Sequence, residues 1–125
     1  MATFTKKTLE PTGGTTGTGL GIKVAATSIA SGTTIHTAST TTTTIDEIWL
    51  YAVNTSSSSV KLTIGWGAVT DPDATIEVTV LPEAGLVTII PGLLLQGNAT
   101  AKIVKASAGT ADVIVLHGFV NRITA

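Results

Sequence analysis

No cysteine occurs among the 125 residues, so neither a disulfide framework nor a thiolate metal site can be built from this chain. Charge is scarce as well, at 12% of residues, about half the usual share. Seven Lys and Arg against eight Asp and Glu leave a net charge of -1, which gives no electrostatic ground for nucleic acid or an anionic membrane as partner. Aromatics make up 4%, so the core must come from Val, Ile, Leu and Ala. No long hydrophobic run exists. The most apolar stretch, residues 86–95, is interrupted by Pro91 and Gly92 and is far too short to span a bilayer. Residues 1–18 place no apolar segment behind Lys6 and Lys7, so no signal peptide is expected.

What is present is strand chemistry. Thr fills about a fifth of the positions, and with Val and Ile it favours extended backbone. Ile45 to Asn54 is the most telling segment. Ile48, Leu50 and Ala52 point one way, while Ile45, Trp49, Tyr51 and Val53 point the other, because side chains alternate along a strand. The last strand repeats the pattern, with Val113, Val115 and Phe119 on one face and Ile114, Leu116 and Val120 on the other. A small all-β domain needs one dry face per sheet, so the second apolar face is assigned to another copy of the chain. A mean hydropathy of +0.46 without a membrane span points the same way. The expected oligomer interface is Ile45, Trp49, Tyr51, Val53, Val113, Val115 and Phe119.

Residues 1–21 form a Gly/Thr-rich stretch with little to pack, expected to be a flexible arm, and residues 22–125 the β-sandwich domain. Strands are expected at 22–29, 33–38, 45–54, 60–66, 75–81, 86–90, 100–106 and 112–123, separated by Gly, Asn and Pro turns that include Pro91-Gly92. Eight strands suit an antiparallel jelly-roll sandwich. In the wiring expected here, the strand from Ile45 lies beside the last strand and shares its sheet with the strands at 75–81 and 86–90.

Catalytic and ligand motifs are weaker than their structural alternatives. Gly13 to Gly21 follows no strand and lacks the Lys of a phosphate loop. His36 and His117 fall in no triad or metal spacing, and Gly-x-Ser-x-Gly is absent. Asp71 and Asp73 read as a solvated turn, being too few for a calcium loop. The expectation is no enzyme, no cofactor and no metal. Trp49, Tyr51 and Trp66 admit a sugar platform, but Trp66 in the core and Trp49 with Tyr51 at a subunit contact is preferred, since sugar sites add polar groups around their rings.

Three segments carry a resemblance: Ile45-Asp46-Glu47-Ile48-Trp49-Leu50-Tyr51-Ala52-Val53-Asn54, Val60-Lys61-Leu62-Thr63-Ile64-Gly65-Trp66-Gly67 and Gly118-Phe119-Val120-Asn121-Arg122-Ile123. In these, covering under half the chain, it resembles small virion structural proteins of tailed bacteriophages, of the head decoration or cement type. The resemblance implies a homo-oligomer, commonly a trimer, bound to the major capsid protein on the capsid surface and reinforcing the head. The arm would then reach the capsid through Phe4, Lys6 and Lys7. The alternative is a tail or head-fibre module that binds a host glycan.

Overall fold

The computed structural model describes residues 2–12 and 17–125. Nine strands are described: β1 (Thr3–Thr8), β2 (Ile22–Lys23), β3 (Thr33–Thr37), β4 (Ile45–Asn54), β5 (Val60–Trp66), β6 (Thr75–Val80), β7 (Val87–Gln96), β8 (Ile103–Ala108) and β9 (Ile114–Thr124). One sheet runs β1-β9-β4-β7 with β2 also on β9, and the other runs β3-β8-β5-β6. Every pairing is antiparallel. The chain is all-β, two sheets face to face.

Alternation builds the core. Along β4, Ile48, Leu50 and Ala52 are fully buried while their neighbours are half-buried. Ile114, Leu116 and Val120 of β9 join them, and Leu62, Ile64, Val104 and Ala106 meet them from the opposite sheet. A buried Leu or Ile contributes roughly 1.5–3 kcal/mol through apolar area removed from water. Trp66 packs against this core as expected, and its Nε1 donates to the Leu94 carbonyl at 3.4 Å, tying β5 to β7 across the sandwich edge.

Four expectations are corrected. The strand at 75–81 is β6, and it lies in the sheet opposite β4 and β9, paired with β5. β4 and β9 are neighbours over ten residue pairs, as expected. Pro91-Gly92 is no turn: β7 runs through it as an edge strand, where a missing N–H is tolerated, and register shifts after Ile48 and Leu50 of β4 absorb the extra residues. The strand expected at 22–29 shortens to β2, because Val24 bonds Ile114 whereas the Ala26 carbonyl accepts from Ala108, carrying the chain from one sheet to the other. Finally, the arm is not free along its length. Thr3–Thr8 pairs with Thr124–Phe119 of β9 over six positions, an edge strand held through its backbone. The part of the expected arm at 13–16 lies outside the described residues.

Candidate binding face and a buried charge cluster

Register across β1, β9, β4 and β7 lays the outward side chains of the larger sheet in rows. Phe4, Ile123, Ile45 and Gln96 form one row. Lys6, Asn121, Glu47 and Leu94 form the next, then Thr8, Phe119 and Trp49 against Pro91. His117 and Tyr51 follow, then Val115 and Val53. The residues expected at the oligomer interface therefore share one surface, with Val113 at its margin, half-buried against the core. Phe4, 72% exposed, and Lys6 extend that same surface, so the expected capsid contact and oligomer contact are contiguous. Lys7 does not belong to it. Its parity turns it to the other side of β1, where its Nζ pairs with Glu10 at 2.7 Å.

The centre of this face is rigidly set. Trp49 and Phe119 stack with centroids 5.9 Å apart and planes 8° from parallel. Lys6 Nζ lies 5.0 Å from the Phe119 centroid, a cation–π contact. Gly92, at φ +81, is required here, because a Cβ on it would stand 2.9 Å from the Trp49 ring. The bulge in β7 thus supplies a flat backbone floor for the indole. Trp49 Nε1 donates to Glu47 Oε1 at 2.8 Å and Asn121 Nδ2 donates to the same oxygen at 2.9 Å. These two donors hold the Glu47 carboxyl below its ordinary range and keep it ionised. Gly21 closes one border of the face, its backbone pressed on Val115 and the His117 ring.

A second cluster lies on the inward side of the same sheet. Asp46 has the parity of Ile48 and Leu50 and is 1% exposed. Arg122 binds it bidentately, Nε to Oδ1 at 2.7 Å and Nη2 to Oδ2 at 2.9 Å. His36 Nδ1 accepts the Glu10 backbone N–H at 3.1 Å, so Nε2 carries the proton donated to Asp46 Oδ2 at 2.8 Å. Burial alone would raise the Asp46 carboxyl, but the hydrogen bonds from Arg122 and His36 and the charge of Arg122 outweigh it and bring it from 3.8 to about 2. His36 and Asp46 have the composition of a catalytic dyad without its access: the ring is fully buried and both nitrogens are engaged. The cluster joins the N-terminal segment, β3, β4 and β9.

Asp71 accepts from Thr75 Oγ1 at 2.6 Å in an exposed turn, and no group of three His, Asp or Glu side chains suited to a metal occurs among the described residues. A cavity of about 320 Å³, lined by Leu9, Pro11, Leu20, Ile22 and Gly118 among others, carries no titratable side chain. Sequence reasoning passed over Glu47 and Asn121, which meet from different strands, and over the Asp46 cluster. Only Asp46 carried a local signal, sharing the parity of the core residues that follow it. No protein family, characterised protein or solved structure matches the chain.

Proposed function

We propose that the chain is a non-catalytic virion structural protein of the head decoration or cement type, self-associating and adhering through the outward face of the β1-β9-β4-β7 sheet. The observation that carries this reading is the continuity of that face: Phe4, Ile123, Ile45, Phe119, Trp49, Tyr51, Val53 and Val115 come from three strands onto one surface. Aromatics concentrated on an outward sheet face mark an interaction surface, because each ring offers a large area at low entropic cost. Of Phe4, Lys6 and Lys7, the first two lie on its border and are the residues proposed to touch the major capsid protein, whereas Lys7 is turned to Glu10. A jelly-roll description is supported by nested pairings: β2 with β9, β3 with β8, β4 with β7 and β5 with β6, as in a ribbon of eight strands rolled up, with β1 added at the edge.

Native mass spectrometry of the purified chain, followed by mixing with undecorated heads of the parent phage, tests the proposal. An oligomer that binds heads and raises their disruption temperature is expected, with the trimer as the stoichiometry the resemblance implies. A folded monomer at micromolar concentration, or an oligomer indifferent to heads, overturns it.

One observation favours the glycan-binding alternative. Glu47, Asn121 and Lys6 surround the Trp49 and Phe119 rings with oriented polar groups, which is the surrounding a sugar platform needs. Glycan-array binding that is abolished by Trp49→Ala, in a protein without affinity for heads, would transfer the assignment to that class.

A further inference from the structure

The segment before residue 13 is attached to the body as a separable piece. β1 lies on one half of the β9 edge and β2 on the other, with Thr8 opposite Phe119 and Ile22 opposite Leu116. Two residues of β9, His117 and Gly118, separate those positions, roughly 10 Å at strand rise. The chain spends residues 9–21 on that gap. Thirteen residues is long for a connection in a compact domain, where most have about 4–6, and such length is usually functional. Leu9 and Glu10 travel with β1, leaving residues 11–21, which can reach up to about 36 Å.

The seat of the segment belongs wholly to the body. It consists of the β9 edge from Phe119 to Thr124, the core position that leaves Leu9 5% exposed, His36 Nδ1 for the Glu10 N–H, and the Thr37 N–H donating to the Glu10 carbonyl at 2.9 Å. Lys6 over Phe119 completes it. The nested pairings from β2 to β9 do not include β1, so the seat stays formed when the segment leaves. All these contacts are equally available to the same segment of another copy. Moving it between copies gives up the hydrogen bond from Thr8 Oγ1 to the Gly17 carbonyl, 2.9 Å, by which the chain returns on itself.

We propose that residues 2–10 are exchanged between copies, each segment pairing as an edge strand on β9 of its neighbour and closing its Glu10 on that neighbour's His36. Exchange of an identical element is a low-cost route to an oligomer, and strand addition at an open edge is a common peptide-binding mode. The exchanged segment places Phe4 and Lys6 of one copy on the outward face of the next, so the adhesive face is completed by two chains. This rests on the chain being an oligomer, as proposed above.

The absence of cysteine gives a clean background for the test. Neighbouring rungs of an antiparallel ladder alternate in Cα separation, so of Thr3 with Thr124 and Phe4 with Ile123, one pair suits a disulfide. A tagged Thr3→Cys chain is co-expressed with an untagged Thr124→Cys chain, and likewise Phe4→Cys with Ile123→Cys, and each is oxidised mildly. The doubly substituted single chains are oxidised in parallel. Exchange predicts a disulfide between tagged and untagged chains and, for a double variant, covalent oligomers on a denaturing non-reducing gel. Single-chain mass with no free thiol, in a protein still oligomeric by native mass, overturns exchange and leaves the oligomer standing. Free thiols in both pairs overturn it too, since β1 is then not on β9. A monomeric native mass removes the oligomer itself and exchange with it.

Discussion

The two sheets differ in what they turn toward the core and what they turn outward. In the β3-β8-β5-β6 sheet, Lys61, Thr63, Glu77, Thr79 and Lys105 alternate outward from the apolar core, and Lys61 pairs with Glu77 on the surface. In the β1-β9-β4-β7 sheet, Asp46 and Arg122 turn toward the other sheet, where His36 of β3 meets Asp46, while Trp49, Phe119, Tyr51 and Ile45 face outward. β-branched residues are plentiful in the strands of both, so strand propensity did not impose the difference. An ordinary water-facing sheet follows the first arrangement. Inversion in the second leaves apolar rings for a partner to cover, and charges that the fold itself must satisfy.

The largest expected effect comes from the inner charges. Asp46→Ala leaves Arg122 against the core without its carboxylate and His36 without its acceptor. Removing one member of a buried pair costs about 3–5 kcal/mol. The lower end applies, since the Arg122 side chain keeps 17% exposure and can turn toward water. Urea unfolding should show a loss of roughly 3 kcal/mol. A loss below about 1 kcal/mol, the range of exposed pairs, would show that the cluster behaves as a surface feature and that the inversion is only nominal.

Much of this arrangement could be read from the chain, and the part that could not has a physical cause. Both doubly apolar strands were visible because period-two patterning reports each face directly, and their adjacency followed from the wiring expected of eight strands. Which of the apolar faces formed the core was equally plain from Ile48, Leu50 and Ala52. Asp46 was legible only by its parity with Ile48 and Leu50, since its value depends on Arg122, 76 positions away. Likewise Asn121 meets Glu47 across 74 positions. The Gly92 floor was concealed by a Pro-Gly pair, whose local chemistry favours a turn and which only the edge position of β7 allows to continue as strand. Thr3–Thr8 was hidden for a related reason: an edge strand held by backbone bonds needs no apolar signature.

Acid sharpens the contrast next. The folded value of Asp46 is about 2 against an ordinary 3.8, so its contribution is complete above pH 3.8, declines as pH falls through that range, and is gone below about 2. The difference corresponds to about 2 kcal/mol. Stability measured from pH 5 to pH 2 should fall by that amount more in the native chain than in Asp46→Asn. Parallel declines in the two proteins would remove Asp46 as the source.

On the outward faces the readout is assembly. Trp49→Lys places an ammonium in the centre of the proposed interface, and the proposed oligomer should weaken at least tenfold, about 1.4 kcal/mol. Thr63→Lys, on the outward face of the other sheet, should leave native mass unchanged at the same concentrations. Equal weakening by both would mean that the two faces are equivalent, whereas weakening by Thr63→Lys alone would move the interface to the other sheet.

The smallest effect is expected at Lys61 and Glu77. Glu77 raises the Lys61 ammonium above its ordinary range, chiefly through their hydrogen bond, yet both side chains stand in water, where ordering two long side chains and screening by salt offset the attraction. Lys61→Ala should therefore leave the urea midpoint unchanged within error in 0.15 M salt, in contrast to Asp46→Ala. The pair also provides a control on the meaning of the inversion: if Lys61→Ala and Asp46→Ala proved equally costly, location relative to the core would not govern what a charge contributes in this protein. A shift seen for Lys61→Ala at low ionic strength that disappears on adding salt would locate the interaction in solvent, as the outward position of both strands requires.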